Sequence, residues 1–278
     1  MQLVKDLKPA EILDTAIETG VVKSGGSFLR LLILGFLAGA FIAFAGAGSN
    51  TAAFNLLMDP GTFGLGKVLA GTIFTVGLMM VILTGTELFT GNVLILAAVA
   101  DKRVSIGRML RNWGIVYMGN LLGAVVIAAA VYYSGQLGGG DSMLGAFTIK
   151  TASAKVSLSF GKAFMLGILC NWLVCVAVWI SFSAGSVAGK IGAIFFPIWL
   201  FVTCGFEHSI ANMYFIPAGI LAKANETFVA KSGMAAEVLE HLNWISFFTD
   251  NLIPVTLGNI VGGGVFVALV YWLVSRKA

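Results

Sequence analysis

The chain has 278 residues, 58% of them hydrophobic and only 11% charged, with a formal net charge of +4. Soluble domains carry about 25% charged residues, so an ordinary soluble enzyme is excluded; with a mean hydropathy of +0.95 the chain reads as an all-α polytopic membrane protein. It has no phosphate-binding loop, no dinucleotide-type glycine pattern and no triad signature, which leaves nucleotide-driven chemistry without a foothold.

Residues 1–27 are polar and do not read as a secretory signal. Ile12, Leu13, Ala16, Ile17 and Val21 fall roughly on one helical face, the spacing of a short amphipathic helix along a membrane surface. From residue 28 to 278 the chain reads as a channel-type transmembrane domain. Its apolar blocks run to roughly 20 residues or more, the length that crosses about 30 Å of hydrocarbon. Six spans are predicted, at about 28–50, 67–99, 107–133, 159–182, 188–221 and 248–274, with connections near 51–66, 100–106, 134–158, 183–187 and 222–247. The second and fifth are too long for one straight crossing. Each is interrupted, the second by "TGTELFTGN" (84–92) and the fifth by "CGFEHSIAN" (204–212). Cys170, Cys175 and Cys204 lie inside apolar segments without paired spacing or a histidine at ligand distance, so they read as packing residues rather than a metal site.

Six spans put both termini on one side, and basic residues decide which. The terminal side collects Lys5, Lys8, Lys23, Arg30, Lys102, Arg103, Arg108, Arg111, Lys190, Arg276 and Lys277; the far side has only Lys67, Lys150, Lys155, Lys162, Lys223 and Lys231. Cytoplasmic termini are therefore expected.

The two halves repeat. "GTELFTGN" and "GFEHSIAN" share G-x-E-x-x-x-x-N at an offset of 120, "VYMGNLLG" and "VTLGNIVG" share V-x-x-G-N-x-x-G at 139, and "LGFLAGAFIAFA" and "LGILCNWLVCVA" share a weaker frame. Repeats at about 28–133 and 159–274 hold three spans each, an odd number, so the second enters the membrane from the opposite side. The predicted fold is a 3+3 inverted repeat with broken helices two and five, the aquaporin-like arrangement in which broken helices meet near the midplane.

Irregular backbone is tolerated at membrane depth only where protein or a water-filled cavity satisfies it, and half-helix N-termini favour an anion. Glu87 and Glu207 need partners there and are expected to brace the breaks, accepting N–H groups of the broken turns; Asn92 and Asn212 close the same motif. Asn120 and Asn259 are expected to tie the breaks to spans three and six. His208, the one histidine within a span, is the candidate pathway residue, able to hydrogen-bond an anion or lend it a proton. Thr90 and Asn171 add neutral donors, and Lys155, just before span four, can reach Glu207 or the pathway mouth. Phe74, Leu78, Phe89 and Phe201 flank the breaks and suit narrow dry gates.

"ELFTGNVLILAAVA", "RNWGIVYMGNLLGA", "CNWLVCVAVWISFSA", "GFEHSIANMYFIPAGI" and "DNLIPVTLGNIVGGG" resemble the signature stretches of the formate/nitrite transporter family, over nearly the whole chain. The resemblance implies a homopentamer with one pore per protomer, in the inner membrane of a prokaryote, passing small monovalent anions or their acids. It implies that His208 is the central histidine and Thr90 the threonine of the first broken helix, with Asn171 near the pore. Leu78, Phe89 and Val174 would line the cytoplasmic constriction, Phe74 and Phe201 the periplasmic one, and Lys155 with Glu207 would make the entrance attractive to anions. "NMYFIPAGI" and "DNLIPVTLGNIVGGG" resemble the formate channels, whereas "TELFTGN" and "LCNWLVC" resemble the nitrite channels.

The expected function is a channel or proton-coupled carrier for a small weak-acid anion, formate first, with nitrite and hydrosulfide as alternatives. Its partners would be the anion, protons and the lipid bilayer, with no cofactor, metal or nucleic acid. A neutral-solute channel of the water and glycerol type would show paired Asn-Pro-Ala boxes at the breaks, and none occur; a membrane-embedded enzyme would need clustered carboxylates or histidines, which are also missing.

Overall fold

The computed structural model describes residues 6–276; Lys5 and Lys277, counted above for orientation, lie outside the described residues. The described chain is helical, without strands. A helix α1 (Pro9–Ser24) precedes α2 (Phe28–Met58), α3 (Phe63–Thr84), α4 (Phe89–Ala100) and α5 (Ile106–Tyr133). The second half runs α6 (Met143–Val156), α7 (Phe160–Ser183), α8 (Val187–Cys204), α9 (Ser209–Ala222), two short helices α10 (Glu226–Ser232) and α11 (Ala236–His241), and α12 (Trp244–Arg276), which contains two π-helical stretches. Six of these, α2, α3, α5, α7, α8 and α12, are long and apolar enough to cross a membrane, while α4 and α9 are shorter apolar helices that follow the breaks. The six-span, 3+3 inverted repeat with broken second and fifth spans is thus the observed architecture.

Three of the starts are set by serine caps: the hydroxyls of Ser27, Ser105 and Ser186 accept the backbone N–H of Arg30, Arg108 and Gly189, satisfying donors that a helix N-terminus leaves free. Within each half the packing repeats. Helix α2 packs on α3 and α5 as α7 packs on α8 and α12, and the halves meet where α3 lies against α8. The α2–α5 and α7–α12 crossings are close enough to require glycine. A Cβ on Gly123 would collide with the Phe36 carbonyl, and one on Gly262, its repeat counterpart, with the Ile168 carbonyl. This is the small-residue contact that lets helices approach in lipid, where no hydrophobic drive holds them together.

Three features differ from the hydropathy reading. Helix α2 runs two turns past residue 50, because Thr51–Met58 contains no breaker before Pro60. The connection expected at 134–158 contains the 14-residue helix α6, and the one at 222–247 contains α10 and α11. None of these carries an apolar block long enough to register as a span. The apolar face of α1 is also covered: Ile12, Leu13, Ala16 and Ile17 are each at most 5% exposed, packed on the end of α4 and on α7 rather than turned to lipid. Helix α6 packs on α9 as α1 packs on α4.

If the crossing is set by backbone approach, Gly123→Val destabilises the purified protein by about 1–3 kcal/mol, the usual cost of overpacking. Gly64→Ala, whose Cβ meets nothing within 4 Å, should leave the melting temperature in detergent unchanged or slightly raised.

Candidate functional site

Both breaks are built the same way. Helix α3 ends on Gly85 at φ +70° and α8 on Gly205 at φ +74°, left-handed positions that favour glycine. Gly85 N–H and Thr86 N–H bond back to Ile82 and Val81, and Gly205 N–H and Phe206 N–H to Val202 and Phe201, the paired bonds that close a helix C-terminus. The chain then runs extended for three residues before α4 and α9 begin. Its middle N–H is taken by a carbonyl of the neighbouring helix, Glu87 N–H by Leu34 and Glu207 N–H by Leu166.

Two asparagines take one carbonyl and one N–H more at each break. Asn120 donates to the carbonyls of Gly35 (2.7 Å) and Glu87 (2.9 Å), and its Oδ1 accepts the N–H of Phe89, the first residue of α4. Asn259 does the same on the other side, to Gly167 (2.8 Å) and Glu207 (3.0 Å), and accepts from Ser209, the first residue of α9. Both side chains are fully buried.

The glutamates were expected to accept backbone N–H groups of the broken turn; they bind side chains instead. Glu87 accepts from Asn92 (2.6 Å) and Lys23 (3.0 Å), and Glu207 from Asn212 (2.6 Å), Lys155 (2.8 Å) and more distantly Asn251 (3.4 Å). Asn92 also donates to Asn112, and Asn212 to Asn251. Asn112 and Asn251 in turn donate to the backbone carbonyls of Lys23 and Lys155. Each break therefore carries a lysine, a glutamate and two asparagines in one buried chain of hydrogen bonds. The pairing with side chains follows because the backbone donors beside the glutamates are already used by Asn120, Asn259, Leu34 and Leu166.

The half-helix N-termini meet at the centre. His208 caps α9, its Nδ1 accepting the N–H of Ala211 at 3.1 Å. An acceptor at Nδ1 puts the ring proton on Nε2, which lies 3.0 Å from Thr90 Oγ1 on α4 and so donates to it. Asn171 is beside this pair, but its Nδ2 is committed to the carbonyls of Thr90 (3.1 Å) and Asn259 (2.8 Å). Cys175 Sγ donates to the same Thr90 carbonyl. Among the described residues no cluster of three or more His, Cys, Asp or Glu is placed to hold a metal.

Two cavities approach this centre from opposite sides and share no lining residue. The one on the side of the termini, about 750 Å³, is lined by α1, Leu78, Gly85, Glu87, Asn92 and Lys23. The far-side one, about 540 Å³, is lined by Gly205, Glu207, His208, Asn212 and Lys155. Phe74 and Phe201 line the far-side cavity and meet edge-to-face at 5.9 Å, with His208 stacked on Phe201. Leu78 lines the terminal-side one. Phe89 packs edge-on against Trp113 and Tyr117, and Val174 is buried; both are absent from the cavity walls.

Lys23, Asn112 and Asn251 were not among the residues singled out from the sequence, yet the signal was present. The frame shared by 34–45 and 166–177 has an offset of 132, which carried backward pairs Lys23 with Lys155. The offset of 139 that joins Asn120 to Asn259 also joins Asn112 to Asn251.

An inverted repeat whose paired broken helices face two vestibules across a polar centre defines a membrane transport protein. The formate/nitrite transporter family model matches residues 10–273, and the chain belongs to that family. It is 41% identical to the formate channel FocA of Escherichia coli K12, over 98% of this chain and 95% of that one. It is 40% identical to a probable formate transporter of Methanothermobacter thermautotrophicus, over 97% of each. Among solved structures, a pentameric formate channel with formate bound superposes with a TM-score of 0.80 at 40% identity, covering 90% of this chain and 98% of that one. An ion channel of the same family superposes at 0.75 and 26% identity, covering 95% and 98%.

The anchors set a stability contrast. Lys155→Met strands the Glu207 carboxylate, whose side chain is only 7% exposed, and should cost about 3–5 kcal/mol as for other buried pairs broken on one side. The double variant Lys155→Met/Glu207→Gln should recover much of that loss, measured as the detergent melting temperature of both proteins.

Proposed function

We propose that the protein is a channel for formate and closely similar weak-acid anions, working as a homopentamer with one pathway per protomer, in the inner membrane of a prokaryote with its termini in the cytoplasm. The observation that carries this reading is the His208–Thr90 contact, where two half-helix N-termini meet between vestibules that each present a lysine. The names of the relatives, the formate-bound pentameric neighbour and the basic residues on the terminal side support it.

An anion entering either vestibule meets Lys23 or Lys155, held in place by Glu87 or Glu207. It sheds water against apolar side chains, Leu78 on the terminal side, Phe74 and Phe201 on the far side, which act as dry constrictions. At the centre the Nε2–H of His208 and the hydroxyl of Thr90 replace its lost hydration. A bare charge is expensive in the dry middle, and a proton removes it. A proton arriving at Nδ1 displaces the Ala211 N–H and lets the Nε2 proton pass to the carboxylate, which crosses as the neutral acid. On leaving the centre the acid returns its proton to water, and the ring is reset by proton exchange with water, Nδ1 losing its proton and Nε2 gaining one, so that Nδ1 again accepts the Ala211 N–H. Glu87, Asn92, Asn120, Asn212 and Asn259 hold the breaks open for this traffic, and Asn171 fixes the Thr90 carbonyl.

Because one proton travels with each anion, uptake should rise as pH falls. Formate uptake by proteoliposomes, compared with nitrite, hydrosulfide and glycerol at two pH values, tests this. Formate fastest, and faster at the lower pH, is the expected result, with His208→Phe assembling normally but losing that pH dependence. Faster nitrite or hydrosulfide would reassign the substrate, and glycerol passing without any anion would overturn the reading.

A further inference from the structure

The two vestibules mirror each other in their anchors but not in their charge. On the terminal side Lys23, Arg30 and Lys190 share the walls with Asp14, Glu18 and Glu87, and formal charge balances. On the far side Lys67, Lys150 and Lys155 are opposed by Glu207 alone. Lys155 is committed to that glutamate at 2.8 Å. Lys67 is not: half-buried in the second turn of α3, its ammonium lies 5.4 Å from the centre of the Phe63 ring and has no carboxylate or hydrogen-bond acceptor in reach among the described residues.

Its position is specific. A Cβ on Gly205 would come to 3.1 Å from Lys67 Nζ, so the ammonium stands over the first residue of the second break, two residues before Glu207 and three before His208. Gly205 has no side chain to come between them. Asn50, 6% exposed, lines the same cavity, and its amide nitrogen has no partner among the described residues. Phe74, Phe201 and Phe215 also line the cavity, and the aromatic face that Lys67 meets, the Phe63 ring, gives a cation–π contact that leaves its charge uncompensated. An unopposed cation in a confined, part-apolar cavity is stabilised by an anion, and the field of Lys150 and Lys155 adds to it.

We propose that the far-side vestibule holds one small monovalent carboxylate on the Lys67 ammonium, at a site separate from the Thr90–His208 centre. The site deepens the channel reading above and rests on it for the ligand class: an anion small enough for the vestibule, with formate as the probe. A pathway loaded there carries two anions, one waiting at Lys67 and one at the centre. It saturates at lower concentration than the centre alone would allow.

The test is formate-dependent stabilisation of the full-length purified protein in detergent, because a ligand that binds the folded state raises its melting temperature according to its affinity. Ionic strength is held constant with a bulky sulfonate, so that formate is the only carboxylate present. Wild type and His208→Phe should both be stabilised. Lys67→Met should need about tenfold more formate for the same shift, equivalent to about 1.4 kcal/mol, and Lys67→Arg should restore wild-type behaviour. If Lys67→Met fails to assemble, Lys67→Gln makes the same comparison. Equal formate dependence in wild type and the neutral Lys67 variant, or no stabilisation of the wild type at all, would overturn the proposal. Stabilisation that depends on Lys67 in a protein that fails to move formate would instead count against the channel reading alone.

Discussion

A helix that breaks inside a membrane frees backbone N–H and C=O groups that lipid cannot satisfy, and every feature of this protein's centre follows from where those groups go. Asn120 and Asn259 each take two carbonyls and one N–H. Leu34 and Leu166 lend carbonyls to the extended segments. Their reach depends on close helix crossings, which in turn depend on the glycines of α2, α5, α7 and α12. Packing and polarity are thus one constraint: without the close approach the asparagines would not reach, and without the asparagines the breaks would not be tolerated.

That arrangement leaves the glutamates free of backbone duty, and each is held by a lysine delivered from a helix outside the six spans. Lys23 comes from α1 and Lys155 from α6. The two helices pack on the segments that follow the breaks, so each half of the molecule presents a cation beside its own half-helix N-terminus. In the channel reading proposed above, each approach offers the anion a lysine, and the pathway narrows to neutral donors at His208 and Thr90. On that reading charge recruits the anion where water still screens it, and hydrogen bonds take over where water is gone.

Much of this was legible in the sequence. The G-x-E-x-x-x-x-N pair located both breaks, because glutamate and asparagine in an apolar block have no other tolerable explanation, and its offset exposed the inverted repeat. His208 and Thr90 stood beside those breaks, and the structure brings them into contact. The part without a hydropathy signature is not legible there. Helix α6 is too short and mixed to read as a span, and nothing in the polar segment around Lys23 ties it to the core. The local turn is the nearest backbone donor to each glutamate, whereas the donors are side chains, an asparagine five residues on and a lysine 64 or 52 residues distant. Apolar pathway residues such as Leu78, Phe74 and Phe201 were suggested by position and resemblance alone, since periodicity does not distinguish a side chain facing a pathway from one facing a neighbour.

The central claim is that the meeting of two half-helix N-termini at His208 and Thr90 is where the transported anion is held. A cryo-electron microscopy map of the full-length protein in saturating formate tests it most directly. The account predicts density for a small molecule within hydrogen-bond distance of His208 Nε2 and Thr90 Oγ1, with the direct contact between them opened. An unbroken His208–Thr90 contact at saturation, with ordered density confined to the two vestibules, would contradict it.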